Sequence, residues 1–222
     1  MRGRLVVFEG GEGAGKSTQH RRLATQLASH RIVHRTFREP GGTPAGDRIR
    51  DILLHQDAPL AAPTEALLFA ASRAQLVATE IRPALGRGEH VLLDRFILSS
   101  YAYQIHGRGL DEGEVRAANR LATAGLVPDL TILLDLSPVE GLARAVQRGA
   151  VDRIERAEPA FHQRVAEAFH RFAGAEWQRA HVEVGPIVAV AATGTEDEVA
   201  QRVLGAVQRA LPDLLPSEAH AR

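Results

Sequence analysis

The sequence predicts one α/β domain, built on a mostly parallel β-sheet that helices cover on both faces. Short runs rich in Val, Leu and Ile alternate with longer helical patterns, and this alternation is typical of βαβ units. Several of the short runs are almost continuously apolar, as expected for strands buried on both faces. A glycine-rich turn at residues 10–17 follows the first of these runs.

The strands and helices can be placed in order along the chain. Five strands are predicted, at residues 4–9, 31–37, 90–94, 129–136 and 186–192. Helices are predicted at residues 16–29, 44–55, 64–86, 111–124, 138–148, 159–180 and 195–210. Residues 1–210 therefore form one domain, whereas the aperiodic tail 211–222, which contains two prolines, is predicted to be loose.

The composition narrows the functional classes. The 27 basic residues balance the 27 acidic ones, so no overall positive field favours nucleic acid, and no apolar run reaches the ~18 residues of a membrane helix. The chain has no cysteine, which removes disulfides and thiolate metal sites. We therefore expect a cytoplasmic protein without a nucleic-acid or membrane partner.

The glycine-rich turn has the spacing of a phosphate cradle. It fits G-x-x-x-x-G-K-[ST] between a strand and a helix, although a turn that only joins the two elements is the alternative. Lys16, the only lysine in the chain, would reach the β- and γ-phosphates, and the Ser17 hydroxyl would hold Mg²⁺. The predicted ATP-binding residues of the turn are Gly10, Gly11, Glu12, Gly13, Ala14, Gly15, Lys16, Ser17 and Thr18.

A cradle alone is compatible with GTPases, motors, DNA-repair ATPases and small-molecule kinases. The Asn-Lys-x-Asp sequence that reads guanine is impossible here, because the chain has no second lysine. The other motifs favour a kinase whose acceptor is already phosphorylated.

Two pairs of residues are candidates for binding the acceptor. Phe69 and Arg73 share a helical face, so the ring can stack on a base and the guanidinium can donate to a base carbonyl. Without further context, a core Phe and a solvated Arg are the simpler interpretation. Asp94 and Arg95 end a strand, where Arg95 can bind a phosphate and Asp94 can orient it or contact the water shell of a metal; a structural ion pair is the alternative.

Further polar residues surround these pairs. Ser100 and Gln104 can address a base edge, and Tyr103 lies on the same segment. Glu39 and Arg50 flank a Pro-Gly-Gly turn, where Arg50 would form a second phosphate clamp. An arginine-rich stretch at about 144–157, with Arg144, Arg148 and Arg153, is either a solvated face or a lid that delivers a guanidinium to the transferred phosphoryl group.

The ordered set of motifs resembles bacterial thymidylate kinase, a family of P-loop nucleoside monophosphate kinases. The resemblance spans about residues 4–210 and rests on "EGGEGAGKST", "REPGGT", "LFAASR", "DRF…SSYAYQ", "PDLTILLD" and "DRIE". It implies a P-loop kinase fold with a five-stranded parallel sheet and a homodimer. Gly11 and Tyr101 depart from the residues common in this family.

The resemblance also implies a role for each motif residue. Phe69 would stack on thymine, Arg73 would bond its carbonyl, and Ser100 and Gln104 would address the base edge. Tyr103 would crowd the 2′ position of the sugar, Glu12 would accept a bond from the 3′-hydroxyl, and Arg95 and Arg50 would hold the monophosphate. Arg144 would lie against adenine, and Arg148 and Arg153 would belong to the lid. A catalytic arginine would lie in the lid, because members with an acid in the cradle place it there.

The implied reaction is Mg²⁺-dependent transfer of the γ-phosphoryl group of ATP to dTMP. The predicted catalytic residues are Lys16, Arg95, Arg148 and Arg153. Two alternatives stay open: a kinase that acts on dUMP, dCMP or a nucleoside, and a P-loop ATPase or regulatory nucleotide binder with a protein or nucleic-acid partner.

Overall fold

The chain folds around a five-stranded parallel sheet, as predicted. A computed structural model describes residues 2–55, 59–147, 149 and 152–215, with backbone alone for residues 146 and 147. The strand order is β2-β3-β1-β4-β5, and every neighbouring pair is parallel. The strands are β1 Leu5–Glu9, β2 His34–Arg38, β3 His90–Asp94, β4 Leu130–Asp135 and β5 Ile187–Ala191.

Helices connect the strands and cover the sheet. They are α1 Lys16–Ser29, α2 Pro44–Leu54, α3 Ala62–Leu76, α4 Arg82–Gly86, α5 Ile97–Ser100, α6 Glu112–Thr123, α7 Pro138–Gln147, α8 Pro159–Phe172, α9 Ala175–Ala180 and α10 Glu196–Ala210. Two π-helical turns, Val77–Ile81 and Tyr101–Gly107, follow α3 and α5. Within the described ranges, no helix combines the length and the apolar character needed to cross a bilayer.

The alternation of side chains along the strands divides the core into two layers. Val7 of β1 packs with α3 and α8 residues on one face, whereas Val6, the preceding residue, packs with α1 and α10 residues on the other. The five residues of β1 are all buried, which agrees with the continuous apolar run in the sequence. Helices on both faces are therefore confirmed.

Two predicted helices are interrupted. The predicted helix 64–86 contains the π-helical turn, which precedes Pro83; a proline has no N–H for the helical ladder, and the wider turn accommodates it. The predicted helix 159–180 breaks at Gly174, the N-cap of α9. Residues 97–107, for which the sequence predicts no helix, are helical after β3.

The tail prediction is wrong for residues 211–215. Leu211, Leu214 and Leu215 are buried against the α1 and α10 side of the sheet. Asp213 accepts a hydrogen bond of 2.7 Å from Arg4. These apolar contacts offset the entropic cost of ordering a segment that contains Pro212 and has no helical periodicity. The predicted looseness of residues 216–222 lies outside the described residues.

Candidate active site

One large cavity lies at the carboxyl ends of the strands. It has a volume of about 760 Å³ and is bordered by the glycine-rich turn, by α3 and by the segment after β3. The predicted site residues that line it are Glu12, Gly13, Ala14, Gly15, Lys16, Ser17, Thr18, Glu39, Arg50, Phe69, Arg73, Asp94, Arg95, Ser100, Tyr103, Gln104 and Arg144. Ligands of open α/β sheets bind at this edge, so the position agrees with the sequence prediction.

The glycine-rich turn forms a curved backbone that leads into α1. Gly13 and Gly15 have φ values of 67° and 87°, in the left-handed region that glycine adopts without strain. Gly15 is the N-cap of α1, and no side chain in the described part of the chain caps that helix, whose first residues line the cavity. Such an N-terminus attracts an anion, as predicted for a phosphate cradle. Gly10 and Gly11 belong to the turn but do not line the cavity.

Lys16 is folded back onto the turn. Its Nζ donates to the carbonyl oxygen of Gly11 at 2.7 Å, and the residue is only 7% exposed. Burial, and to a lesser degree the neighbouring Arg95, lowers the pKa of Lys16 to about 8. An ammonium on a flexible stem can leave a single carbonyl for a phosphate oxygen.

Ser17 and Asp94 form a small cluster of hard oxygen ligands. The Ser17 hydroxyl donates to Asp94 Oδ2 at 2.6 Å, next to the N-terminus of α1. A small number of oxygen ligands suits Mg²⁺, which keeps several waters and binds substrate phosphates as well. The residues present therefore fit the predicted metal, and Ser17 with Asp94 would hold it.

Arg95 connects the turn to the far side of the cavity. Its Nη2 donates to Glu12 at 2.7 Å and to the Tyr103 hydroxyl at 3.3 Å, while that hydroxyl donates to Glu12 at 2.7 Å. Arg95 has a φ of 71°, which is uncommon for a residue other than glycine and typical of functional sites. The three side chains thus form one network before any ligand is bound.

Arg73 is fully buried, which corrects the interpretation that it is a solvated surface residue. Its Nε donates to Glu39 Oε2 at 2.8 Å, its Nη1 to Ser100 at 2.9 Å and its Nη2 to the Phe96 carbonyl at 3.0 Å. Nη2 also forms an ion pair with Glu39 Oε2 at 2.7 Å. Nη1 also donates to Asn119. These hydrogen bonds use four of its five N–H donors, and the fifth is on Nη2, the nitrogen that forms the ion pair with Glu39. The predicted contact between Arg73 and a base carbonyl would use that Nη2 donor or replace one of these partners.

Glu39 and Arg50 also line the cavity. Glu39 is 4% exposed, and its Oε1 has no hydrogen-bond partner among the residues that the structure describes. Burial raises the pKa of Glu39 to about 7 against the opposing effect of Arg73. Arg50 donates to the Pro40 carbonyl at 2.9 Å. Burial first, and then the nearby Arg38, lowers the pKa of Arg50. Arg38, to which the sequence analysis assigns no role, also lines the cavity.

The predicted lid arginines lie in different places. Arg144 donates to the Ala192 carbonyl at 3.2 Å and lines the cavity. Arg153 does not line it; its Nη2 donates to Glu65 at 2.7 Å and its Nε to the Leu53 carbonyl at 2.8 Å. Arg153 thus joins the lid segment to α2 and α3, and its catalytic role stays a prediction. Arg148 lies outside the described residues.

Two buried acids at the site were missed from the sequence. Glu9 accepts hydrogen bonds from the backbone of Phe96 and Ser99 and from the Ser99 hydroxyl, at 2.6–3.1 Å. Glu65 accepts from Gln104 and from two arginines. Glu65 lies four residues before Phe69, on the helical face that Phe69 shares with Arg73, and this spacing was the available signal.

The fold and the cavity define an α/β protein with the P-loop kinase fold, in which a phosphate cradle faces a pocket lined by aromatic and polar side chains. The family model "Thymidylate kinase" matches residues 8–185. The chain belongs to the thymidylate kinase family.

Curated relatives agree with the family model. A thymidylate kinase of Deinococcus radiodurans is 46% identical over 207 residues, which cover 92% of this chain and 96% of that protein. One of Synechococcus sp. is 45% identical over 94% of this chain and 96% of its own length. One of Thermomicrobium roseum is 47% identical over 89% of this chain and 96% of its own length. The likeness therefore spans nearly the whole domain.

Proposed function

We propose that this protein transfers the γ-phosphoryl group of ATP to dTMP and so forms ADP and dTDP. The observation that carries the proposal is the continuous cavity, which the phosphate cradle lines at one end and Phe69, Ser100 and Gln104 line at the other. Arg95 lies between the two ends and contacts Glu12 of the cradle. The names of the curated relatives support dTMP as the acceptor.

The proposed reaction needs positioning and charge neutralisation rather than a strong base. The attacking atom is an oxygen of the acceptor's phosphate, which is already anionic at neutral pH. Lys16 would neutralise the β- and γ-phosphates of ATP, while Arg95 and Arg50 would hold the acceptor phosphate in line with the γ-phosphorus. When bound between Ser17 and Asp94, Mg²⁺ would neutralise charge on the phosphate oxygens.

The rest of the pocket would select the acceptor. Phe69 would stack on the base, and the Tyr103 ring, which lies beside Arg95, would crowd the 2′ position of a ribose. Glu12 would accept the 3′-hydroxyl. Arg144 would lie against adenine, and a lid arginine would approach the transferred group when the lid closes.

A panel of acceptors tests the proposal. ADP formation is measured with ATP and Mg²⁺ against dTMP, dUMP, dCMP, thymidine and no acceptor. We expect the highest kcat/KM with dTMP. A preference for dUMP, dCMP or thymidine would replace the proposed acceptor, and hydrolysis of ATP without any acceptor would favour the ATPase alternative.

We also propose a homodimer in the cytoplasm. Leu67 of α3 and Leu121 of α6 are 62% and 84% exposed on helices that pack against each other, and a second copy of the chain would cover them. Light scattering on the protein and on Leu121→Glu tests this. We expect a dimer that the substitution weakens, and a wild-type monomer would contradict it.

A further inference from the structure

The amide of Gln104 has one direction in this structure, although an amide can in principle present either its oxygen or its NH₂. Gln104 is 2% exposed and lines the cavity. Its Nε2 donates to Glu65 Oε1 at 3.1 Å. The partner of the NH₂ group is therefore a buried carboxylate on α3 that does not itself line the cavity.

Glu65 can accept hydrogen bonds but cannot donate them. Arg108 donates to both of its oxygens, at 3.1 and 3.0 Å, and Arg153 donates to Oε2 at 2.7 Å. Burial alone would raise the pKa of Glu65, but the hydrogen bonds from Arg108 and Arg153 hold it below its ordinary value. An ionised carboxylate only accepts, so the group of Gln104 that faces it must be the NH₂.

The oxygen of the Gln104 amide is available to accept a hydrogen bond from a ligand. Gln104 Oε1 accepts no hydrogen bond from the described part of the chain, and it is not among the fully buried orphan atoms. Ser100, one turn earlier, accepts a hydrogen bond from Arg73 at 2.9 Å, so its own proton is available to donate. These two side chains thus offer the pocket one donor, the Ser100 hydroxyl, and one acceptor, the Gln104 oxygen.

We propose that Glu65 is a positioning residue that sets the base selectivity of the acceptor pocket through Gln104. By fixing the amide oxygen toward the cavity, it matches a pyrimidine with a 4-carbonyl and an N3–H, namely thymine or uracil. Cytosine presents an acceptor at N3 and a donor at the 4-position, so both contacts are mismatched. The inference rests on the proposed function, since it requires a pyrimidine nucleotide in this pocket.

Neutralising Glu65 tests the proposal. In Glu65→Gln, the side chain at position 65 can donate as well as accept, so the Gln104 amide is free to turn its NH₂ toward the base. We expect the ratio of kcat/KM for dTMP to that for dCMP to fall by at least ~tenfold. The reason is that the Gln104 amide can then turn to pair with cytosine, so a buried mismatch no longer penalises dCMP. The ratio of dTMP to dUMP should stay within about twofold, since those bases present the same two groups.

A reciprocal swap separates positioning from a merely structural role. When Glu65→Gln is combined with Gln104→Glu, the amide on α3 donates to the carboxylate introduced opposite it, whose second oxygen again faces the cavity as an acceptor. One negative charge stays near Arg108 and Arg153. We expect the discrimination against dCMP to return, and the same swap decides the question if Glu65→Gln alone does not fold.

Glu183→Gln is the matched control. Glu183 accepts a hydrogen bond from Tyr101 at 2.8 Å and forms an ion pair with Arg116 at 3.0 Å, but it does not line the cavity. Its nucleotide ratios should equal those of the wild type. An equal loss toward dTMP and dCMP in Glu65→Gln, an unchanged ratio, or a swap that fails to restore it would overturn the inference. A wild-type protein that phosphorylates no pyrimidine monophosphate would overturn the proposed function instead.

Discussion

The two ends of the cavity differ in the chemical groups that form them. The cradle end, residues 10–18, consists mainly of backbone N–H groups and one lysine that rests on a carbonyl. The acceptor end, formed by Phe69, Arg73, Ser100 and Gln104, is dominated by side chains that already bond to buried partners. The cradle end is thus poised to exchange partners, whereas the acceptor end is fixed in advance, as a selective pocket requires.

The largest expected effect is at the cradle end. Lys16→Ala should lower kcat/KM by ~10³-fold, about 4 kcal/mol of transition-state stabilisation, because the ammonium neutralises phosphate charge. Stability should hardly change, since Lys16 makes one exchangeable bond to Gly11. Steady-state kinetics with thermal unfolding on the same samples checks both parts, and near-normal turnover would refute the role of Lys16.

At the acceptor end, loss of a cation should instead reduce stability. Arg73→Met leaves Glu39 buried without its partner, so we expect the free energy of unfolding at pH 8 to fall by about 3 kcal/mol. The loss should shrink at pH 5, below the pKa of about 7, where Glu39 is protonated and neutral. Urea unfolding at the two pH values measures it.

Arg116→Met is the control for that substitution. Arg116 forms an ion pair with Glu183 at 3.0 Å, and the Arg116 side chain is 39% exposed. Its loss should therefore lower the free energy of unfolding by under ~1 kcal/mol. Equal losses for the two arginines would mean that the acceptor network is no more fixed than the surface.

The pH dependence gives a smaller effect at the cradle end. Lys16 has a pKa of about 8 in the free protein, so its charge is present below that pH and is lost above it. We expect kcat/KM for ATP to fall about tenfold between pH 7 and pH 9, since this parameter reports the free enzyme. A profile that stays flat to pH 10 would show that Lys16 keeps an ordinary pKa.

The smallest effect concerns the contact between the cradle and α7. A Cβ on Gly141 would lie 2.3 Å from the Glu12 carbonyl oxygen, so Gly141→Ala should displace α7, which carries Arg144, and raise KM for ATP by ~fivefold, about 1 kcal/mol. Gly86→Ala is the control, because nothing lies within 4 Å of the position that its methyl group would occupy. Equal KM values for the two variants would remove this contact from the account.

The two ends also differ in how far the sequence predicts them. The cradle follows from local spacing, because strand, glycines and helix start are contiguous and the backbone determines their geometry. The order of strands and most helices was likewise predictable from periodicity. The exceptions were the break before Pro83, the break at Gly174, the helical residues 97–107 and the packing of Leu214 and Leu215.

The acceptor network was predicted residue by residue but not as a network. Arg95 and Glu12 are 83 positions apart, and Arg153 and Glu65 are 88 positions apart. Periodicity carries no information on such pairs. The sequence therefore indicated which side chains belong to the site, while the buried hydrogen-bond network of Arg73 and the contacts of Glu65 with Gln104 and two arginines required the structure.

In the proposed reaction, the two ends of the cavity hold donor and acceptor together, so that the phosphoryl group passes directly between them. The stereochemical course at phosphorus tests it most directly, with ATP that carries a chiral γ-thiophosphate and dTMP as acceptor. Direct in-line transfer predicts inversion of configuration in the dTDP analogue. Retention would require two successive displacements and a covalent intermediate on the protein, and would contradict the account.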